Sequence, residues 1–301
     1  MGSKNIKLSV TVITYNQELF IEETLKSIVN QELDIPWEII IGDDSSTDRT
    51  PDIIEKYAQQ YPHIIKPIYR TKNLGHTGNY IETTRMAKGE YIAHIDGDDL
   101  MLPGKLQKQI DFLDNHPACS MVHHLVYFIN KQGVKIGRTK AKNATVGTIN
   151  SIIKRNSIIN SSNMFRRSCL DEHFYNIPHS LMLHDKLAHM IKAQYGYVCL
   201  IPEILGSYRV YAESIFKSAS SHKLFKAQIY TVDYAKNLQG TSESAINEGK
   251  SILYLAQVRS HYKNKNYKRS KYYLKMAKQL VKNSYETYRF TIKLYLKKIN
   301  F

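Results

Sequence analysis

The residues best able to do chemistry in this chain of 301 residues are carboxylates in two tight clusters, Asp43-Asp44 followed by Ser45-Ser46, and Asp96-Gly97-Asp98-Asp99. Carboxylates at D-x-D spacing offer hard oxygen ligands suited to Mg2+ or Mn2+, and Mg2+ commonly sits on one or two carboxylates plus substrate phosphates. Two rival readings of Asp96 to Asp99 are a solvated acidic turn and a Ca2+ loop. An EF-hand loop would need Glu at its twelfth position, where this chain has Gln107. Two phosphate-binding signatures are missing. No G-x-G-x-x-G follows the first strand-like segment, and no G-x-x-x-x-G-K-[ST] occurs anywhere. A diphosphate bound here would therefore be neutralised by a cation on carboxylates rather than by glycine-rich backbone.

The elements that must position these carboxylates can be read from hydrophobic periodicity. Strand-like runs fall at 8–14, 37–42, 64–69 and 91–95, with helical stripes at 18–30, 50–61, 78–87 and 103–117 between and after them. Thr50-Pro51 reads as an N-cap followed by proline in the first helical position. A longer strand is expected at 120–129, helices at 151–155 and 183–195, and a short strand at 197–201. Alternating strands and helices of this length predict an α/β fold with a mostly parallel central sheet flanked by helices. In such a sheet ligands bind beyond the carboxyl ends of the strands. Four successive ends here are polar: Thr14-Tyr15-Asn16 with Glu18, Asp43-Asp44, Arg70 with Asn73-Leu74-Gly75-His76, and Asp96 to Asp99.

Composition narrows the class of protein. Hydrophobic residues make up 43% of the chain, enough for a substantial core. The net charge is +15, but residues 241–301 hold 14 Lys and Arg against 3 Glu, which is +11 and leaves about +4 for the first 240 residues. The basicity belongs to a helix-prone C-terminal extension, rich in Lys and Tyr, beginning after a boundary near 215–222. Within it, 256–280 has the spacing of one tetratricopeptide-like helix pair. Basic surface with aromatics invites a nucleic-acid reading, yet no recognised module is present and the charge lies outside the site-bearing part. Association with an anionic membrane and a plain solvated basic face are the two readings that stay open. Three scattered cysteines (Cys119, Cys169, Cys199) suggest no disulfide framework, and no apolar run approaches 18 residues. A cytoplasmic protein is expected.

The segments VTVITYNQELFIEETLKSIVNQ, WEIIIGDDSSTDRT, NLGHTGNY, KGEYIAHIDGDDLMLPGKL and, less closely, NMFRR followed by LHDKL resemble those of family 2 glycosyltransferases. The resemblance covers about residues 6–210. It implies the GT-A fold over 1–215, with nucleotide-sugar binding in about 1–130, acceptor binding in about 131–215, and a basic helical region over 216–301. It also implies transfer of a sugar, with inversion, from a nucleotide-diphosphate-sugar donor to a glycan or lipid-linked glycan acceptor in surface polysaccharide or glycoconjugate synthesis.

Site roles follow from the resemblance position by position. Thr14, Tyr15, Asn16 and Glu18 would line the nucleotide pocket; Asp44 would accept a hydrogen bond from the base, with Asp43 supporting the turn. Asn73, Gly75 and Asn79 would shape the donor cleft. Asp96 would approach the ribose or the metal, and Asp98 would ligate a divalent cation, Mn2+ or Mg2+, bridging the diphosphate. Asp185 would be the general base, the alternative being a carboxylate that merely complements a helix dipole. Arg209 would contact the diphosphate or form a structural ion pair. Two departures stand out: His184 replaces the Glu that usually precedes the base, and Tyr211 stands where relatives carry a metal-binding His. These departures keep open a catalytically impaired nucleotide-sugar-binding protein. A sugar-nucleotide pyrophosphorylase is disfavoured because its Gly-rich, Arg/Lys-bearing first loop is absent. The other histidines, His123 and His124 among them, are expected in core or surface roles.

Overall fold

The structure is a computed structural model and describes residues 5–141, 146–182, 184–211 and 221–281. The N-terminal half of the sheet is built around β1 (Leu8–Thr14), flanked in parallel by β2 (Trp37–Asp43) and β4 (Tyr91–Asp96), with β3 (Ile65–Tyr69) parallel to β2 at the edge. The second half holds β6 (Cys119–Ile129) parallel to β10 (Tyr197–Arg209), joined to β4 through the short antiparallel β9 (Met164–Arg166). The small strands β5 (Leu100–Met101), β7 (Lys135–Arg138) and β8 (Val146–Gly147) pair antiparallel at the margins. Parallel ladders supply most of the paired residues, as the alternating pattern predicts.

Every residue of β1 is buried. Its apolar side chains alternate between two cores, as the two-residue period of a strand requires. Leu8, Val10 and Val12 face a core shared with α1 (Ile21–Val29), α2 (Thr50–Gln60) and α4 (Lys105–Asn115), while Ile13 faces the other. That second core holds α3 (Gly75–Arg85), α5 (Ile149–Lys154), α6 (Glu172–Tyr175) and α7 (His184–Lys192). Two polar residues of β1 are matched within the sheet: Ser9 Oγ donates to Glu38 Oε1 at 2.6 Å, and Thr11 Oγ1 lies 3.2 Å from His94 Nδ1, while the buried Thr14 Oγ1 has no hydrogen-bond partner among the described residues.

Beyond the sheet, α8 (Ser221–Tyr234), the short turn that follows it and the start of α9 (Glu243–Lys263) lend Val232, Ala235, Leu238 and Ala245 to the second core. The remainder of α9 pairs with α10 (Tyr267–Leu280) around Leu255, Val258, Leu274 and Ala277, which gives 256–280 the helix pair expected there. The expected boundary near 215–222 falls largely outside the described residues. Among the described residues, no helix is long and apolar enough to cross a membrane.

Several local expectations need correction. Thr50 does not cap α2. It is the first helical residue, its backbone N–H is held by Asp48 Oδ1 at 2.9 Å, and its hydroxyl accepts from Gln17 N at 2.8 Å. The strand expected at 197–201 runs on to Arg209, because register shifts between Ile201 and Gly206 let Pro202 and Glu203 stand out of the ladder. A proline has no N–H to give a ladder, so a bulge is the way past it. α3 begins at Gly75, whose φ of +77° suits glycine. The cysteines are not all single thiols either. Cys119 and Cys199 lie on the neighbouring strands β6 and β10 with Cα atoms 6.4 Å apart and form a disulfide across 80 residues of sequence, while Cys169 stays free and buried. Strand pairing, invisible in the spacing, brings them together and corrects the expectation drawn from three scattered cysteines.

Candidate active site

Sheet register gathers the carboxylates. Thr14 pairs with Asp43 and Ile13 with Asp96, so the ends of β2, β1 and β4 lie side by side. The strand order β3-β2-β1-β4 reverses direction at β1, the kind of switch point beside which open α/β sheets bind ligands.

On the β2 side the tails brace one another. Asp43 accepts from Ser46 Oγ at 2.5 Å and Ser46 N at 3.1 Å. Asp44 Oδ1 accepts from Leu74 N at 2.8 Å, while its carbonyl accepts from Asn73 Nδ2 at 3.0 Å. Burial pushes the Asp44 carboxyl above its ordinary value against those hydrogen bonds. Asn73 Oδ1 accepts from Gly75 N, which ties the turn to the start of α3. Asn16 Oδ1 accepts from Thr47 N at 2.8 Å, and Glu18 Oε2 accepts from Arg49 N at 3.1 Å. Thr14 is buried and Tyr15 is half exposed at the rim. Asn79 departs from its expected role in the donor cleft. It is buried within the fold, donating to Gly42 O at 2.7 Å and accepting from Arg70 Nε at 2.9 Å, so it locks α3 to β2.

The β4 end holds the reactive cluster. Burial works against the charge of Asp96, but His76 and His94 win and hold its carboxyl well below the usual range. His94 Nε2 lies 3.1 Å and His76 Nε2 3.6 Å from Asp96 Oδ1. Asp98 behaves oppositely: burial and the charge of Asp96 push it up to about 6, against a 2.6 Å hydrogen bond donated to its Oδ2 by Tyr211. Burial, then the charges of Asp98 and Asp96, raise Asp99 as well; its Oδ1 accepts from Arg209 N at 2.8 Å. Gly97 passes so close to β1 that a Cβ would meet Gln17 Oε1 at 2.5 Å and Thr14 Cβ at 2.9 Å. The loop therefore needs glycine there for space.

Asp185 stands in the first turn of α7. The segment leading into that helix is tied to α3 by a 2.7 Å hydrogen bond from Thr77 Oγ1 to Leu181 O, which brings α7 toward His76. Burial pushes Asp185 up to about 6; the charge of Asp96 adds to this, and His76 and Lys192 oppose it. Burial also disfavours charge on His76, but Asp96 above all, then Asp185 and Asp98, raises it to about 9. Lys192, fully buried, lies 3.7 Å over the Phe165 ring and donates to Tyr80 Oη at 2.9 Å. The side chain of His184 lies outside the described residues.

Arg209 takes the second of its two readings. Its guanidinium is buried, donates to the carbonyls of Asp98, Asn130 and Lys131, pairs with Glu23 at 2.8 Å and covers the Phe20 ring at 4.7 Å. That position buttresses the Asp98 loop from behind. His94 fills the core place expected of the remaining histidines and the His76 side chain is 39% exposed, and both also flank Asp96. His94 had a legible signal: it lies two residues before Asp96 on a strand and so shares its face. His76 was legible only as part of the polar segment after β3, because packing of α3 on β1 and β2 is what brings it to Asp96.

An ionised Asp96 beside a cationic His76, with two further carboxyls held near pH 6, can hold a cation or a polyphosphate bridge and accept a proton from a bound hydroxyl. Among the described residues no cluster of three or more His, Cys, Asp or Glu side chains is arranged to hold a metal ion. Asp96 and Asp98 nevertheless offer two carboxylates of the kind that could hold an ion completed by substrate phosphates.

Residues 9–187 match the model of the family described as "Glycosyl transferase family 2". An uncharacterized protein of Mycobacterium tuberculosis is 36% identical over 214 residues, which is 70% of this chain and 61% of that protein. The chain thus spans less than two thirds of the length of such relatives. A poly(ribitol-phosphate) beta-glucosyltransferase of Bacillus spizizenii is 32% identical over 58% of this chain and 27% of its own. Among solved structures, S. aureus TarS 1–349 in complex with UDP-GlcNAc superposes with a TM-score of 0.70 at 20% identity, covering 96% of this chain and 89% of that one. The mannosyltransferase PcManGT from Pyrobaculum calidifontis, in complex with GDP-Man and Mn2+, gives 0.63 at 19% identity, covering 96% and 80%. These likenesses establish a GT-A architecture, and the family match together with the ordered carboxylate ends of β2 and β4 leads to one conclusion: the chain belongs to glycosyl transferase family 2.

Proposed function

We propose that the chain transfers a sugar, with inversion, from a nucleotide-diphosphate sugar to an acceptor hydroxyl during synthesis of a bacterial surface polysaccharide or glycoconjugate. One observation carries this reading: Asp96, Asp98 and Asp185 come from two distant segments and interact electrostatically around His76 at the switch point of the sheet. Family membership and a relative named for teichuronic acid biosynthesis support the reaction class and the polymer setting. Solved relatives that hold UDP-GlcNAc or GDP-Man support a nucleotide-sugar donor, and one that holds Mn2+ supports a divalent cation.

Within this reading Thr14, Tyr15, Asn16, Glu18, Asp43 and Asp44 form the nucleotide side of the cleft, and Asn73 and Gly75 the turn beneath the sugar. Asp98, with Asp96, holds Mn2+ or Mg2+, which acts as a Lewis acid on the departing diphosphate. Asp185 takes the proton from the acceptor hydroxyl, and its elevated pKa makes it a stronger base than a solvated carboxylate. Residues 131–215 build the acceptor side. The acceptor is a glycan or a lipid-linked glycan, and the basic C-terminal region, helical over 221–234, 243–263 and 267–280, draws the enzyme to an anionic membrane on its cytoplasmic face. On α10 Lys268, Lys271, Lys275 and Lys278 are exposed, with no acidic residue in the helix, which supports that attraction.

Tyr211 on Asp98 favours a second reading, a nucleotide-sugar-binding protein of the same fold with impaired transfer. One experiment separates the two. A thermal-shift screen of UDP- and GDP-sugars with and without Mn2+ identifies the donor, and donor hydrolysis by wild type and Asp98→Ala follows. Mn2+-dependent stabilisation and hydrolysis, both lost in Asp98→Ala, is the expected result. Binding without turnover would establish the impaired protein, and hydrolysis unchanged in the variant would refute the metal assignment.

A further inference from the structure

The hairpin between β6 and β7 is an unusual surface. Residues 131–138 are all exposed, and Val134 and Ile136 show 58% and 59% of their surface to solvent. Around them stand Lys131, Lys135, Arg138 and Lys140, also exposed, with no acidic residue from 131 to 141. This apolar exposure does not come from a loose loop. Asn130 N donates to Val134 O at 2.9 Å, Asn130 Oδ1 accepts from Gln132 N and Val134 N, and Thr139 N donates to Val126 O at 2.9 Å. The hairpin is a built projection with two aliphatic side chains near its tip and a collar of cations.

Its base adjoins the reactive cluster. Arg209 donates through Nη1 to the carbonyls of Asn130 and Lys131, at 3.2 and 2.9 Å, and through Nε to Asp98 O at 2.8 Å. One guanidinium therefore spans the gap between the hairpin and the Asp98 loop. The base of the hairpin is thereby fixed to the loop that carries Asp98.

We infer that this hairpin docks on an anionic lipid surface, with Val134 and Ile136 entering the headgroup region and the four cations meeting lipid phosphates. Interfacial binding of this kind scales with apolar area buried plus attraction to anionic lipid, and the hairpin supplies both on one projection. Charge argues against a second copy of the chain as the occupant. Self-pairing of the β7 edges would bring Lys135 and Arg138 against their own kind, and lysines on an edge strand guard against such pairing. A soluble polyanion would engage the cations but leave Val134 and Ile136 in water. This surface is separate from α10, and it rests on the proposed transfer reaction only for its purpose, which is to present a membrane-borne acceptor to Asp185.

The test is co-sedimentation of the full chain with vesicles of phosphatidylcholine alone or with 30% phosphatidylglycerol, at low and high salt. Wild type should bind the anionic vesicles and release in high salt. Val134→Ser/Ile136→Ser should weaken binding by roughly tenfold, and Lys135→Gln/Arg138→Gln/Lys140→Gln by about fivefold for each cation lost. Lys268→Gln/Lys271→Gln/Lys275→Gln on α10 should weaken binding independently and leave the effect of the hairpin substitutions undiminished. Equal binding by the serine variant, loss confined to the α10 variant, or equal binding to phosphatidylcholine alone would each overturn the inference. Polyphosphate binding that the serine variant retains is expected; polyphosphate binding that falls with the serine substitutions would point to misfolding of the hairpin and is checked by circular dichroism and thermal melting of each variant. Nucleotide-sugar stabilisation of the variants should match wild type. If wild type itself binds no nucleotide sugar, the proposed reaction falls while the vesicle result stands on its own.

Discussion

The phenol of Tyr211 donates a 2.6 Å hydrogen bond to Asp98 Oδ2, and its ring lies 5.5 Å from that of Phe20 in a stacked arrangement. Where the resemblance implies a metal-binding histidine, this chain thus holds a hydrogen-bond donor that orients the carboxylate proposed to bind the cation. A hydrogen bond to the charged form favours ionisation, so Tyr211 offsets part of the upward push that burial and Asp96 exert on Asp98.

Tyr211→Phe should consequently weaken cation binding, by about five- to tenfold near pH 6.5 and less at pH 8, where Asp98 is ionised in either protein. Mn2+ titration of the thermal shift in the presence of UDP or GDP measures this. Equal weakening at both pH values would mean that Tyr211 acts on the ion by some route other than Asp98 ionisation.

Asp185, held at about 6, predicts a sugar-transfer rate that falls below pH 6 as the base takes up a proton. Asp185→Asn should abolish transfer at every pH and preserve donor binding. Retained transfer would remove Asp185 from the base role.

The same group predicts a stability effect of definite sign. A carboxyl whose folded pKa of about 6 exceeds its ordinary 3.8 binds more protons folded than unfolded between those values, so its contribution to stability declines as pH rises through that window. Asp185→Asn should then melt a few degrees above wild type at pH 8, an effect of about 2–3 kcal/mol at most. The gap should close below about pH 4. A variant less stable at pH 8 would show that Asp185 is held by contacts that outweigh its burial.

Arg209 separates buttress from ligand. Arg209→Lys cannot reproduce the donors to three carbonyls and Glu23, and should cost about 2–4 kcal/mol of stability along with donor affinity. A direct diphosphate contact would instead lower affinity and leave the melting temperature in place.

Gly97→Ala should reduce donor affinity at least tenfold with the global fold intact, because its Cβ would meet Gln17 Oε1 at 2.5 Å and displace the loop carrying Asp98. Unchanged affinity would show that Gln17 turns aside without moving Asp98.

Much of this architecture is legible in one dimension because strand and helix periods are local. The runs at 8–14, 37–42 and 91–95 are buried on both faces and nearly continuous in β-branched or apolar residues, so they announce parallel strands. Their polar tails then announce where a ligand would sit. The departures at His184 and Tyr211 are legible for the same reason, since they occupy marked places in an ordered pattern.

Relations between segments far apart in sequence are another matter. The disulfide between Cys119 and Cys199, the pairing of His76 with Asp96, the turn of Arg209 toward Glu23 and the burial of Asn79 against Gly42 each depend on which elements pack together. Charge states depend on packing as well: Asp96 and Asp98 are chemically alike and two residues apart, yet one is held low by two histidines and the other is raised by burial and its neighbour. The sequence by itself determined the alternating strands and helices and the carboxylates at the strand ends, since these follow from side-chain type and local period, and the order of its segments carried the resemblance to the family. Only the tertiary structure decided what surrounds each carboxylate, because desolvation and charge act through space.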